Sequence, residues 1–304
     1  MSLDLTGQPR IDSPDFPALL AAGQFGPWSA EATSLHKRGF CVLDLEDPAF
    51  LESIDTVIRE LEPLLAEQLS LWEGGEGGPP RLQDGWQKYP SISRLALQPI
   101  ILDLLRHLYG REPFAFQTLN FAVGSEQPYH SDAIHFHSYP FGFMCGVWIA
   151  LQDVTRDSGP LIYYPGSHRL PYLSAESLGL VPEQVAAEPH PQRFFQARWE
   201  SAVRKRRFPR KRFLSKRGQV LIWHANLLHG GAPVNVRSSR RWSQVNHYFF
   251  SDCLYTTPLR SFGHADGGPF LRNPFDIATG QRRYTQREWT AMGLSAPQAP
   301  TPVK

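Results

Sequence analysis

FMCGVWIALQDV, residues 143–154, is followed by GPLIYYPGS, residues 159–167. Both runs are dense in β-branched and aromatic residues, and only a short polar turn separates them. FAFQTLNFAV (114–123) precedes them, and GQVLIWHANLLHGG (218–231) and RRWSQVNHYFF (240–250) follow. Five such runs with no helix regularly interposed argue against a parallel α/β sheet. They predict a mainly β protein with flanking helices, built on an antiparallel jelly-roll or cupin-like core, a double-stranded β-helix.

The helices lie upstream. AEATSLHKRGFCVLDL (30–45) reads as a short helix that stops near Gly39 and feeds a strand from Phe40 to Leu45. PAFLESIDTVIRELEPLLAEQL (48–69) places Phe50, Leu51, Ile54, Val57, Ile58, Leu61 and Leu64 at helical spacing. WEGGEGGPPRLQDG (72–85) lacks any phosphate-binding register and reads as a flexible connection, and a further helix is predicted from about Ile92 to Tyr109. The expected organisation is one domain over 1–304: a surface arm (1–30), flanking helices (31–110), the jelly-roll core (111–250) with a basic insert (198–217), and an extension (251–304). The Pro-rich end LSAPQAPTPVK reads as disordered.

Composition narrows the function. Hydrophobic residues make up 41% and charged residues 20% of the 304, and the formal net charge is +2. Nothing global points to nucleic acid or a membrane surface. No apolar run approaches the roughly 18 to 20 residues of a membrane span, and the N-terminus lacks a signal-peptide pattern, so the expected location is cytoplasmic. Cys41, Cys145 and Cys253 have neither the number nor the spacing of a disulfide framework or structural zinc site.

QPYHSDAIHFHSYP (127–140) concentrates candidate ligands. On a strand, residues i and i+2 face the same way, so His130 and Asp132 would present an imidazole and a carboxylate to one cavity. With a distant histidine they would make the 2-His-1-carboxylate set of a non-haem iron site. The motif alone is weak, since about one chain in two of this composition holds an HxD by chance. His135 and His137 form a rival HxH pair of the cupin type, but no carboxylate follows in SYPFGFM.

The ordered blocks YHSD, GVWIALQDVTRDSGPLIYYPGSH and RGQVLIWHANLLHGGAPVN, with RR on a final strand, resemble the phytanoyl-CoA dioxygenase (PhyH) family of Fe(II)/2-oxoglutarate oxygenases, from roughly Leu35 to Phe250. The resemblance implies that His130, Asp132 and His229 bind iron. It makes His224 a strand residue and His168 part of a structural turn. It places the cosubstrate arginine eleven residues after the distal histidine, at Arg240, with Arg241 on the opposite face of the strand. It sets Trp148 against the cosubstrate, while Asn120 and Gln117 either hydrogen-bond the oxo acid or cap a sheet edge.

The cofactors so implied are Fe(II), 2-oxoglutarate and O2, and the reaction is hydroxylation of a small molecule. The retained Asp132 argues against halogenation, for which the carboxylate is replaced. The alternative is a cupin-like metal- or ligand-binding protein that does not turn over 2-oxoglutarate. His135, His137 and Tyr139 are expected at the substrate entrance. RWESAVRKRRFPRKRFLSKRG (198–218) reads either as a basic lid for an anionic, carrier-linked or CoA-linked substrate or as a solvated basic segment.

Overall fold

A computed structural model describes residues 3–261 and 269–292; the expected disorder of 294–304 lies outside them. The strands are β1 (Phe40–Asp44), β2 (Arg81–Gln83), β3 (Pro113–Phe121), β4 (His137–Tyr139), β5 (Met144–Ala150), β6 (Leu161–Tyr163), β7 (Lys211–Phe213), β8 (Gln219–His224), β9 (His229–Gly231), β10 (Ser243–Phe250), β11 (Leu254–Thr256) and β12 (Leu271–Arg272). A six-stranded sheet in the order β1-β8-β5-β10-β3-β2 faces a smaller sheet, β7-β6-β9. Every pairing is antiparallel. The jelly roll is therefore present, with Trp148, Leu221, Trp223 and Val245 from the large sheet meeting Leu161, Tyr163 and Phe213 from the small one.

The large sheet turns its other face to the helices α1 (Phe16–Ala21), α2 (Ser29–Arg38), α3 (Pro48–Glu73), α4 (Pro90–Ala96) and α5 (Pro99–Tyr109). Pro48 opens α3, and the Asp47 carboxylate accepts from the Phe50 amide at 2.9 Å. Ile54, Val57, Leu61, Leu65 and Leu69 then bury one stripe of it. Three expectations change. The single helix over 92–109 is two helices, because Pro99 pushes Gln98 out of helical conformation. The connection at 72–85 contributes β2 to the sheet edge. The arm over 1–30 is more than surface, since Ile11, Phe16 and Phe25 are core residues.

The basic insert begins within the helix Gln192–Arg206 (α7, after α6, Pro182–Ala187). Phe195 and Trp199 seat α7 on Ile134, Tyr164 and Leu228, while Arg204 to Arg207 face solvent. Among the described residues beyond 250 there are further strands. β11 pairs with β4, and β12 with β11, beside the segment that follows His130 and Asp132.

Candidate metal centre

His130 and His229 sit opposite one another in an isolated antiparallel bridge, with amide-to-carbonyl hydrogen bonds of 2.8 and 3.0 Å in the two directions. The backbone thus fixes the spacing of the two imidazoles. Asp132 does not share a regular strand with His130, as the HxD spacing suggested. It opens the 3₁₀ turn Asp132–Ile134, after Ser131, whose hydroxyl accepts from the Ala133 amide and donates to Asn226 Oδ1 at 2.9 Å. A Cβ at Gly230 would lie 2.7 Å from the Gln127 carbonyl oxygen, so the glycine after His229 lets the segment leading to His130 pack against it.

Each histidine has one nitrogen committed. Nδ1 of His130 meets the Pro128 carbonyl at 2.9 Å and Nδ1 of His229 meets the Leu227 carbonyl at 3.0 Å. Carbonyls only accept, so both Nδ1 atoms carry protons and both Nε2 lone pairs face inward. Each Nε2 is 3.6 Å from Asp132 Oδ1, and one ligand atom from each of the three residues falls within 4.8 Å of the others. The other carboxylate oxygen, Oδ2, accepts from the Trp223 indole at 2.7 Å and lies 3.5 Å from His247 Nε2. Oδ1 is thereby left for a metal.

The electrostatics match. Burial opposes the Asp132 charge, but His229, His130 and His247 outweigh it and hold the carboxyl well below its usual range. Burial keeps the His229 imidazole neutral, with its pKa pulled down to about 4. Burial also disfavours the His130 cation, but Asp132 more than offsets this. A buried carboxylate with two inward Nε2 lone pairs, and no Lys or Arg ion-paired to it among the described residues, fits a divalent ion with open positions.

Trp223 and His247 were not singled out by sequence. Trp223 packs its ring 4.4 Å from that of His229, and a Cβ on the facing Gly146 would collide with the indole. The glycine inside β5 is therefore room for Trp223. His247 shares a pleat with Ser243 and Val245, and its Nδ1 is 3.0 Å from Gln117 Oε1. Alternation counted on from Val245 could have turned His247 inward, but in NHYFF it reads as a core residue.

The two adjacent arginines are reversed relative to expectation. Arg240 leaves the barrel and pairs with Glu73 of α3 at 2.5 Å. Arg241 is the inward one: 2% exposed, with its guanidinium 5.5 Å from the Trp148 ring centroid and Nη1 donating to Ser243 Oγ at 2.8 Å. Its Nε has no partner and no carboxylate pairs with it among the described residues. Burial pulls its pKa down to about 10, so it remains charged at neutral pH. The pleat decides this: Arg241, Ser243 and Val245 share a face, and Arg240 lies outside.

Trp148 and Gln117 face the interior. Asn120 does not. It pairs with Gln244 on the helix-facing side, donating to Gln244 Oε1 at 3.0 Å, because it lies three positions after Gln117 in regular register and the pleat puts the two on opposite faces. His135 lies near the ligands, 6.3 Å between its ring and that of His130, with Nε2 3.2 Å from Gln192 Oε1 of α7. His137 instead packs against Phe141 and Tyr172, and Tyr139 is 38% exposed beside Phe141. His135 and His137 therefore do not converge as a cupin pair would require. His224 accepts from the Asn226 amide and contacts Asp12 Oδ2 at 3.1 Å, and His168 contacts the His36 carbonyl; neither joins the centre.

The sequence profile of the phytanoyl-CoA dioxygenase (PhyH) family matches residues 35–242. Among curated relatives, phytanoyl-CoA dioxygenase domain-containing protein 1 of Danio rerio is 30% identical over 83 residues, 26% of this chain and 28% of its own length. A probable phytanoyl-CoA dioxygenase of Caenorhabditis elegans is 24% identical over 220 residues, 66% and 62% of the two chains. The chain thus spans less than two thirds of these relatives. Among solved structures, the non-haem α-ketoglutarate-dependent epimerase SnoN of nogalamycin biosynthesis superposes with a TM-score of 0.53 at 19% identity, covering 79% of this chain and 86% of the other. EctD of S. alaskensis, solved with 2-oxoglutarate and 5-hydroxyectoine, gives 0.56 at 19% identity over 79% and 84%. These superpositions establish the shared fold. With a profile match across most of its length, the chain belongs to the phytanoyl-CoA dioxygenase family.

Proposed function

We propose that the protein is a non-haem Fe(II)- and 2-oxoglutarate-dependent dioxygenase that hydroxylates an unactivated C–H bond of a small molecule in the cytoplasm, consuming O2 and releasing succinate and CO2. One observation carries this reading: the barrel interior holds a three-residue metal set and, beyond it along Trp148, a buried guanidinium without a counter-ion. A divalent ion and a dicarboxylic acid would satisfy both at once. A metal-binding protein of the same fold has no need of Arg241. Cytoplasmic location is supported by three buried, unpaired cysteines, and no described helix is long and apolar enough to cross a membrane.

In this reading His130, Asp132 and His229 hold iron, which with O2 and 2-oxoglutarate supplies the oxidising power for C–H cleavage. Arg241 binds the far carboxylate of 2-oxoglutarate, Ser243 aims the guanidinium, and Trp148 forms a flat wall beside it. Trp223 and His247 hold Asp132 Oδ2, leaving Oδ1 for the metal. α7, through Phe195, Trp199 and Gln192, covers the ligand-bearing turn and excludes water. The carboxylate of Asp132 favours hydroxylation over halogenation. The substrate is a small molecule, free or linked to CoA or a carrier through the exposed basic end of α7.

The test is an anaerobic absorption titration of metal-free protein with Fe(II) and then 2-oxoglutarate. A charge-transfer band that needs both additions, is lost in His130→Ala, needs far more 2-oxoglutarate in Arg241→Ala and is unchanged in Arg240→Ala supports the assignment. A folded, iron-loaded protein without the band refutes it.

A further inference from the structure

β12 lies in the extension beyond residue 250, which the family match does not reach. Its Arg272 crosses toward the metal-bearing turn. Nη1 donates to the His135 carbonyl at 3.2 Å, and the guanidinium stands 4.8 Å from the Phe136 ring centroid and 5.8 Å from that of Phe116. Phe136 is in turn 5.0 Å from the His247 ring, which faces Asp132. Arg272 thus forms part of the wall beside the metal site, and it is attached to a different element from Arg241.

The charge there is unbalanced. Among the described residues no carboxylate lies within ion-pair distance of Arg272, although Arg260 and Arg282 both bear on it electrostatically. The acid that acts on it is Asp84. That carboxyl is pushed up by burial and already accepts from the Thr118 amide at 3.1 Å and from Gln83 at 3.4 Å. Among the described residues its one hydrogen bond, to the His135 carbonyl, uses a single donor of a five-donor fork. A guanidinium set against the edge-to-face pair Phe116 and Phe136, with donors to spare among the described residues, has the form of a receptor for a planar or tetrahedral anion.

We propose that Arg272 recognises a carboxylate or phosphate group on the substrate, making the extension the determinant of substrate charge. This rests on the oxygenase reading for the word substrate, but the anion site itself does not. It assigns 2-oxoglutarate to Arg241 and the oxidised molecule's anion to Arg272.

The test uses benzoate, phenyl phosphate and benzamide as probes, titrated calorimetrically into protein loaded anaerobically with Fe(II) and 2-oxoglutarate. At least one anion should bind about tenfold or more tightly than the neutral amide. Arg272→Gln should erase that preference and Arg272→Lys should restore part of it, with the 2-oxoglutarate half-saturation and the melting temperature of both variants near wild type. The anion that binds more tightly tells carboxylate from phosphate. Equal binding of all three probes, no binding of either anion, or an unchanged preference in Arg272→Gln overturns the proposal. If the wild type gives no charge-transfer band with Fe(II) and 2-oxoglutarate, the oxygenase reading fails. The same titration of metal-free protein then still decides Arg272.

Discussion

Replacing Trp223 with Phe removes the indole N–H that Asp132 Oδ2 accepts at 2.7 Å, together with the buried pyrrole ring that carries it, and keeps a six-membered ring against His229. The bond joins a neutral donor to a buried carboxylate, a type that contributes about 1.5–3 kcal/mol. Because His247 remains 3.5 Å away and takes over part of the role, the lower half of that range applies. A loss of about 1.5–2 kcal/mol corresponds to metal affinity weakened roughly ten- to thirty-fold, within the range usual for partners of metal ligands. The assay is competition between metal-free protein and a chelator for Co(II), with near-ultraviolet circular dichroism to show that the variant is folded. Gly146→Ala should shift affinity in the same direction without touching the donor, by displacing the indole. Folded Trp223→Phe binding Co(II) within twofold of wild type would refute the claim that this bond organises Asp132.

Further outcomes follow from the geometry. His224→Gln should leave Co(II) affinity unchanged, and Asp12→Asn should cost about 1 kcal/mol in urea unfolding, because the pair ties the N-terminal segment to β8. Burial pulls His137 and His168 down to about 4, below the usual unfolded value of about 6.5. The unfolded chain therefore takes up these protons first. Stability should be full above about pH 6.5 and fall between there and pH 4 by about 1.4 kcal/mol per pH unit per group; a melting temperature flat from pH 7 to 5 would contradict this. Gly230→Ala should lower the urea midpoint sharply, since its Cβ would meet the Gln127 carbonyl and Tyr129 backbone. Glu73→Gln should free Arg240 with no effect on 2-oxoglutarate binding measured by the charge-transfer band.

The jelly roll was legible because its strands are short, apolar and punctuated, and the metal set because HxD and HGG place their chemistry locally. The inward-facing arginine was not. Its face depends on where β10 takes up its pleat after the turn, so a count from His229 that is off by one residue selects Arg240 instead of Arg241. Asn120 and Gln117 lie three positions apart on β3, so the pleat alone puts them on opposite faces and only one could have faced inward. Trp223 and His247 gave no signal, because an aromatic or a histidine inside a β run satisfies core packing as readily as it supports a ligand. The two-residue β12 is too short for any periodicity, and it is this strand that delivers Arg272 to the site.

The bridge between His130 and His229 bears on how the protein can be handled by a cell. Two of the three ligands are already joined through backbone hydrogen bonds, and Asp132 is held by Trp223, so the metal is not what gathers them. In the proposed reading the metal-free chain is therefore expected to stay folded, with its near-ultraviolet circular dichroism close to that of the loaded protein. Loss of the iron would then be repaired by reloading, without resynthesis of the chain.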